Sequence, residues 1–251
     1  MHNHTLPSPY SIESSLDLRA DDGSVTPNSY NLLPDDSDQP PVSEKHLASL
    51  SAIIQAFQVE NKFGIHLVHG HLRVEDGNVM FGKAMSNVAG CWTRPTSISS
   101  LELDKLHGHI YVMRKDGQFE AYEYREGPPE PMSETDNAFV VAMQAYIAAF
   151  KLAGIFGLQV LAGGGSDKKM CELIINDHDG TVMMDEDVVP GTTPRRVTGW
   201  AVVKTPGGGG NDVHTEMKNG NHKIFQDSKL KRELVDEDRI VRALRENGAM
   251  E

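Results

Sequence analysis

The sequence predicts an α+β fold: an antiparallel β-sheet built from hairpins, with two or three packed helices. Three observations carry this expectation. The elements run helix, four strands, helix, several strands and a last helix, and do not alternate as βαβ units. Tight turn signals such as Lys115-Asp116-Gly117 and Asn219-Gly220 join neighbouring strand-like runs, which implies antiparallel pairing. Two long stretches carry apolar residues at helical spacing.

Residues 1–42 hold Pro, Ser, Asp and Asn with few apolar anchors, and seven acids against one base, Arg19. Such a segment cannot bury enough surface to offset its ordering entropy, so a disordered acidic leader is predicted. Ser43 is placed to cap a helix over about residues 44–60, with Leu47, Leu50, Ile54 and Phe57 on one face. Phe63 to Val74 reads as a strand, Glu75-Asp76-Gly77-Asn78 as a turn and Val79 to Met85 as the returning strand. Gly90 to Pro95 reads as a connector. Leu106 to Arg114 and Gln118 to Tyr124 form a second hairpin, ended by Pro128, Pro129 and Pro131.

Ser133 and Asp136 form a capping-box pair opening a helix to about Gly154. That helix is apolar all round, which predicts a central core position. Short strands follow at Gly157–Leu161, Cys171–Ile175, Thr181–Met184 and Thr198–Lys204. A late hairpin spans Val213–Lys218 and Asn221–Phe225, and a charged helix with a narrow apolar stripe runs from about Ser228 to Glu246. Residues 43–247 are therefore expected to form one domain, with a Gly-rich insertion near residues 206–210.

Several function classes are disfavoured. The net charge is −12, with no basic stripe, which argues against nucleic acid as a partner. The longest apolar stretch, Ala138 to Phe150, is interrupted by Gln144 and falls short of the ~20 residues of a membrane helix. Two cysteines and no Cys-x-x-Cys motif fit a reducing compartment, cytoplasmic or nuclear.

Chemistry concentrates in two His-Gly-His units, His69/His71 and His107/His109. Alternate residues of a strand face one side, so each pair is expected to project together, and two pairs on neighbouring strands would converge on one ion. The predicted metal ligands are His69, His71, His107 and His109, with zinc, iron or manganese as the divalent ion. Glu75 and Glu120 are candidate catalytic carboxylates, and His214 and His222 are extra ligands to consider. Tyr111 and Tyr122 are candidates to line a small-molecule pocket, since aromatic walls with a few polar groups suit such ligands. Gly163 to Gly165 followed by Lys168 reads as a flexible connector, because a phosphate-binding loop would open a helix and a strand follows here. Cys91 reads as a small buried hydrophobe.

Gly64, His69, His71, Glu75 and Gly82 give G-x4-H-x-H-x3-E-x6-G, which resembles the first metal motif of the cupins with one residue fewer in its first gap. That resemblance implies a β-barrel binding a divalent ion through His69, His71 and Glu75. It covers 19 residues, no second motif accompanies it, and the two strong helices are taken to count against a simple barrel. More broadly, residues about 44–247 resemble a group of small fungal proteins with no assigned activity, on GIHLVHGHLRVEDGNVM, LHGHIYVM, AYEYREGP, GLQVLAGG, GTVMMD, TGWAVV and HTEMKNGNHKIF. This second resemblance implies a fungal origin and one folded unit, and carries no catalytic residues.

Two function classes follow. One is a histidine-rich site for a metal ion or small molecule, catalytic or not. The other is a non-enzymatic module that meets a protein partner through the acidic leader or the last helix.

Overall fold

Among the described residues ten strands close on themselves, where hairpin signals predict an antiparallel sheet. The computed structural model describes residues 28–128, 130–161, 168–202, 211–225 and 235–251. Its strands are β1 (Phe63–Leu67), β2 (Asn78–Ala84), β3 (Gly90–Ser97), β4 (Leu106–Met113), β5 (Phe119–Glu126), β6 (Phe156–Val160), β7 (Met170–Ile174), β8 (Thr181–Asp185), β9 (Thr192–Trp200) and β10 (Asn211–Met217). Round the barrel they run β1-β6-β4-β5-β2-β3-β8-β7-β10-β9. The circle shuts where Ile65 and His66 of β1 meet Trp200 and Gly199 of β9. Two of the pairings, β2 with β5 and β7 with β10, are parallel.

The α+β expectation is thus corrected to a mixed, closed β-barrel, and the physical reason lies in sequence separation. Local antiparallel pairs such as β4–β5 are signalled by their turns, here by Gly117 at φ 85°. The pairings that close the barrel join distant segments and leave no turn signature. β1 shows this best. Its five residues are all buried, because β6 and β9 flank it. It forms no hairpin with β2, which pairs with β3 and β5 instead. The predicted Gly90–Pro95 connector is strand β3. In the late hairpin the turn exists, with Gly220 at φ 80°, but the returning segment bonds to β7: Ile174 N donates to His222 O, and Ile224 N donates to Ile174 O.

The helices are α1 (Asn28–Asn31), α2 (Glu44–Phe57), α3 (Glu134–Ala149) and α4 (Glu237–Glu246). α3 opens with the predicted capping box, in which Ser133 and Asp136 each accept from the other's backbone N–H. It is not a central helix. Phe139, Val140, Met143 and Ile147 join Leu50 and Ile54 of α2 in covering Phe63, Ile65, Phe156 and Leu158 on the barrel's outer wall. Phe150, just past its end, stays half exposed. The helices expected to argue against a barrel are its cladding. α4 seals the opposite wall through Ile240, Val241 and Leu244 against Leu173, Val182 and Met184. The predicted helix start at Ser228 and the leader up to residue 27 lie outside the described residues.

Because Phe63, Ile65, Phe156, Leu158 and Val160 face the helices, the alternate residues Gly64, His66, Gly157 and Gln159 face the lumen. The barrel is therefore greasy outside and polar within.

One glycine pins two hairpins together. Gly180, in the β7–β8 turn, has φ 85°, and a Cβ there would lie 1.9 Å from the Thr93 carbonyl oxygen of β3. Gly180→Ala combines left-handed strain with a backbone collision and is expected to cost about 2–4 kcal/mol in urea unfolding. A loss below about 1 kcal/mol would contradict that packing.

Candidate metal centre

Past Leu67 the chain leaves the barrel wall, and the loop to β2 carries His69 and His71. The residues just before α2 take over the role of a neighbouring strand. Gly70 N donates to Pro34 O, His71 N donates to Tyr30 Oη, and Asn31 bonds both backbone groups of Val74. Gln39 Nε2 donates to Gly154 O at 2.7 Å and also to Val68 O. Arg196 of β9 clamps the same segment, donating to the carbonyls of Asp36, Gln39 and Pro40. Residues 28–42, which composition groups with the disordered leader, thus lie across one end of the barrel and deliver Asp36 into it.

Two groups of side chains are spaced to hold a metal ion: His69, His71 and Glu172, and Asp36, His71 and His214. Glu172 comes from β7 and His214 from β10, where the two residues are parallel partners. His71 belongs to both groups. His69 Nε2 lies 3.6 Å from Glu172 Oε2, His71 Nε2 lies 3.4 Å from Glu172 Oε1, and His214 Nδ1 lies 3.2 Å from Asp36 Oδ1. Ligand atoms about 2.0–2.1 Å from a tetrahedral zinc sit about 3.3 Å from one another, so these gaps are close to the edges of a coordination shell.

Well-aligned hydrogen bonds do not account for them. Both ring nitrogens of His71, both of His214 and Glu172 Oε2 are buried without a hydrogen-bond partner. A buried polar atom left unpaired costs about 1–3 kcal/mol, and five in one place is costly. The His69 ring is held differently. Its Nδ1 contacts Leu67 O at 2.6 Å, leaving Nε2 aimed at Glu172. A backbone carbonyl on the far nitrogen is the usual way a metal-binding imidazole is oriented. The rings pack in series, with centroids 5.2 Å apart for His66–His69, 4.7 Å for His69–His71 and 4.9 Å for His71–His214.

Charge in this cluster is tightly coupled. Burial opposes a proton on His69, but the Glu172 carboxylate outweighs burial and lifts the ring to about 9. Burial would raise Glu172, yet His71 and His69 hold it well below the usual carboxylate range. Burial lowers His71 against the pull of Glu172, and burial with the neighbouring His69 pushes His66 down to about 3. These directions favour a buried His69⁺–Glu172⁻ pair beside neutral His66 and His71 rings.

The residues predicted from sequence separate. His69 and His71 meet in the centre, joined by His214. His107 and His109 enter neither group. A bulge at Gly108–Ile110 breaks the alternation of β4, so His107 Nδ1 reaches Gly127 O at 2.9 Å while His109 is buried in the lumen. Glu75 is exposed in its turn, and Glu120 pairs with Arg114 at 3.3 Å. Tyr111 packs with the α2–α3 cladding, and Tyr122 packs with Tyr30, Val74, Met80 and Ile110. Cys91 lines the lumen, where burial raises its thiol.

Glu172 and Asp36 were not singled out from the sequence. Glu172 had a signal: it is the acid inside the apolar run Cys171–Ile175, and a buried carboxylate demands a partner. Asp36 had none, being one acid among several in a polar segment. Among the described residues, no helix is long and apolar enough to cross a membrane. No family model, curated protein or solved structure matches this chain.

Proposed function

We propose that the protein is a metal-binding barrel in which His69, His71, Glu172, His214 and Asp36 hold a divalent cation. One observation carries the reading: imidazole nitrogens of His71 and His214, buried and unbonded, face carboxylate oxygens at 3.4 and 3.2 Å. A cation at those points satisfies the orphaned nitrogens and the carboxylates together. Three imidazoles with two carboxylates suit zinc, iron or manganese, and not the all-oxygen shell of calcium or magnesium. A bound ion would supply Lewis-acid chemistry to a ligand in the lumen. The chain's own part is to orient Nε2 of His69 through Leu67 O and to close the end of the barrel with residues 28–42. The two free cysteines, Cys91 and Cys171, keep a cytoplasmic or nuclear setting within the proposal.

The test is metal uptake by chelator-stripped protein, read by elemental analysis and by proton release in weakly buffered solution. Zinc or manganese is expected to bind with release of a proton near pH 7, because His69 must give up its proton to coordinate. Binding no greater than that of a His69→Ala, His71→Ala double variant would overturn the reading.

A further inference from the structure

Beside the candidate metal centre the lumen widens into a cavity of about 550 Å³ whose wall carries Arg125. Its wall includes His109, Arg125, Gln159, Met170, Met183 and Asp212. It adjoins the centre along two strands. Met170 and Asp212 line the cavity, and Glu172 and His214, two residues further along β7 and β10, face the same way. Two residues of strand span about 7 Å.

The charged residues on this wall are Arg125, Glu126, Lys168, Asp185 and Asp212. Lys168 is ion-paired to Asp185 and Asp187 at 2.9 and 2.8 Å. Asp212 accepts from Gln159 Nε2 at 2.7 Å. Burial raises Glu123 to about 7, with Glu172 adding to the shift. Arg125 has its Nε buried without a hydrogen-bond partner, and no ion pair among the described residues engages it, although its charge favours the carboxylate forms of Glu123 and Asp212. Beside it stands bare backbone, since a Cβ on Gly82 would lie 3.5 Å from Arg125 Cγ. His109 Nδ1 is a second buried polar atom without a partner on this wall, on a ring 4% exposed. A guanidinium with a buried, unbonded Nε in a half-apolar cavity is a receptor for a planar anion.

We propose that the lumen binds a small organic monocarboxylate, its carboxylate on the Arg125 guanidinium and its apolar body against Leu161, Met170 and Met183. The wall acids Glu126, Asp185 and Asp212 make the space hostile to a dianion, which selects a carboxylate over a phosphate. The volume suits a compact metabolite. Placing this molecule beside an ion rests on the metal reading above, whereas its contact with Arg125 does not.

The test is titration calorimetry with hexanoate, hexanamide and inorganic phosphate, on full-length protein both metal-loaded and chelator-stripped. Hexanoate is expected to bind at least tenfold more tightly than hexanamide or phosphate. Arg125→Gln should lose at least tenfold in hexanoate affinity while taking up metal normally. Met183→Trp, which fills the cavity and leaves the charge in place, should lose as much, and it stands in if Arg125→Gln does not fold. Stripping the metal should change hexanoate affinity by less than about threefold, so a failed metal reading leaves this result standing. Equal binding of acid and amide, tighter binding of phosphate, or no binding of hexanoate overturns the proposal. So does hexanoate binding that survives Arg125→Gln and vanishes on stripping, which would put the carboxylate on the ion.

Discussion

Replacing His71 with alanine is expected to abolish metal uptake, the largest single effect predicted for this chain. His71 is the one side chain shared by both ligand groups, so its loss leaves His69 with Glu172 on one side and His214 with Asp36 on the other. Removing groups that merely orient a ligand costs about 10–100-fold in affinity, so removing a shared ligand should cost at least about 100-fold. Elemental analysis of dialysed protein reads this directly. His107→Ala serves as the control, since that ring bonds Gly127 O outside the centre, and it should keep full occupancy. Equal metal content in the two variants would show that the cluster is not the binding site. The folded state need not suffer in proportion, because the substitution also deletes two buried nitrogens that lack partners.

Glu172→Gln in chelator-stripped protein is expected to destabilise the fold by about 3 kcal/mol at pH 6, the low end of what breaking a buried ion pair costs. The charge on His69 is the reason: without Glu172 the ring must either stay charged in a buried site or lose its proton. This cost depends on pH in a defined direction. His69 has a raised folded value, about 9, against about 6.5 in the unfolded chain, so the stability it contributes is fully present below about 6.5. It fades as pH rises through 9, where the ring becomes neutral in either protein. Urea unfolding should therefore show the gap between wild type and Glu172→Gln shrinking from pH 6 to pH 10. A gap that is constant across that range would mean that Glu172 stabilises the barrel by packing alone.

How much of this was legible before the structure differs from element to element. The β4–β5 hairpin and the α3 capping box are written in two or three adjacent residues, and both are present. His69 and His71 attract notice as a His-x-His unit, and they do share a site. The reasoning that paired them as alternate strand residues fails, however, because β1 ends at Leu67 and the two rings sit on a loop held by Tyr30, Asn31 and Pro34. The same reasoning misplaced His107, where a bulge in β4 breaks the period of two. The polar lumen was hidden too. His66, Gln159 and Asp212 alternate with apolar residues as they would in a strand with one face in water, and periodicity does not say which side is solvent.

The amino-acid sequence alone settled some local matters: the starts of α2 and α3, the turn of the β4–β5 hairpin, and that imidazoles are concentrated near residue 70. Those follow from interactions within a few residues, such as a cap, a positive φ or an apolar spacing. Only the tertiary structure decided that the strands close into a barrel, that Asp36, Glu172 and His214 join two loop histidines, and that Arg125 lines the lumen. These depend on pairings across roughly a hundred residues, such as β1 with β6 and β9, whose free energy comes from burying distant faces against one another and leaves no trace in any short window of sequence.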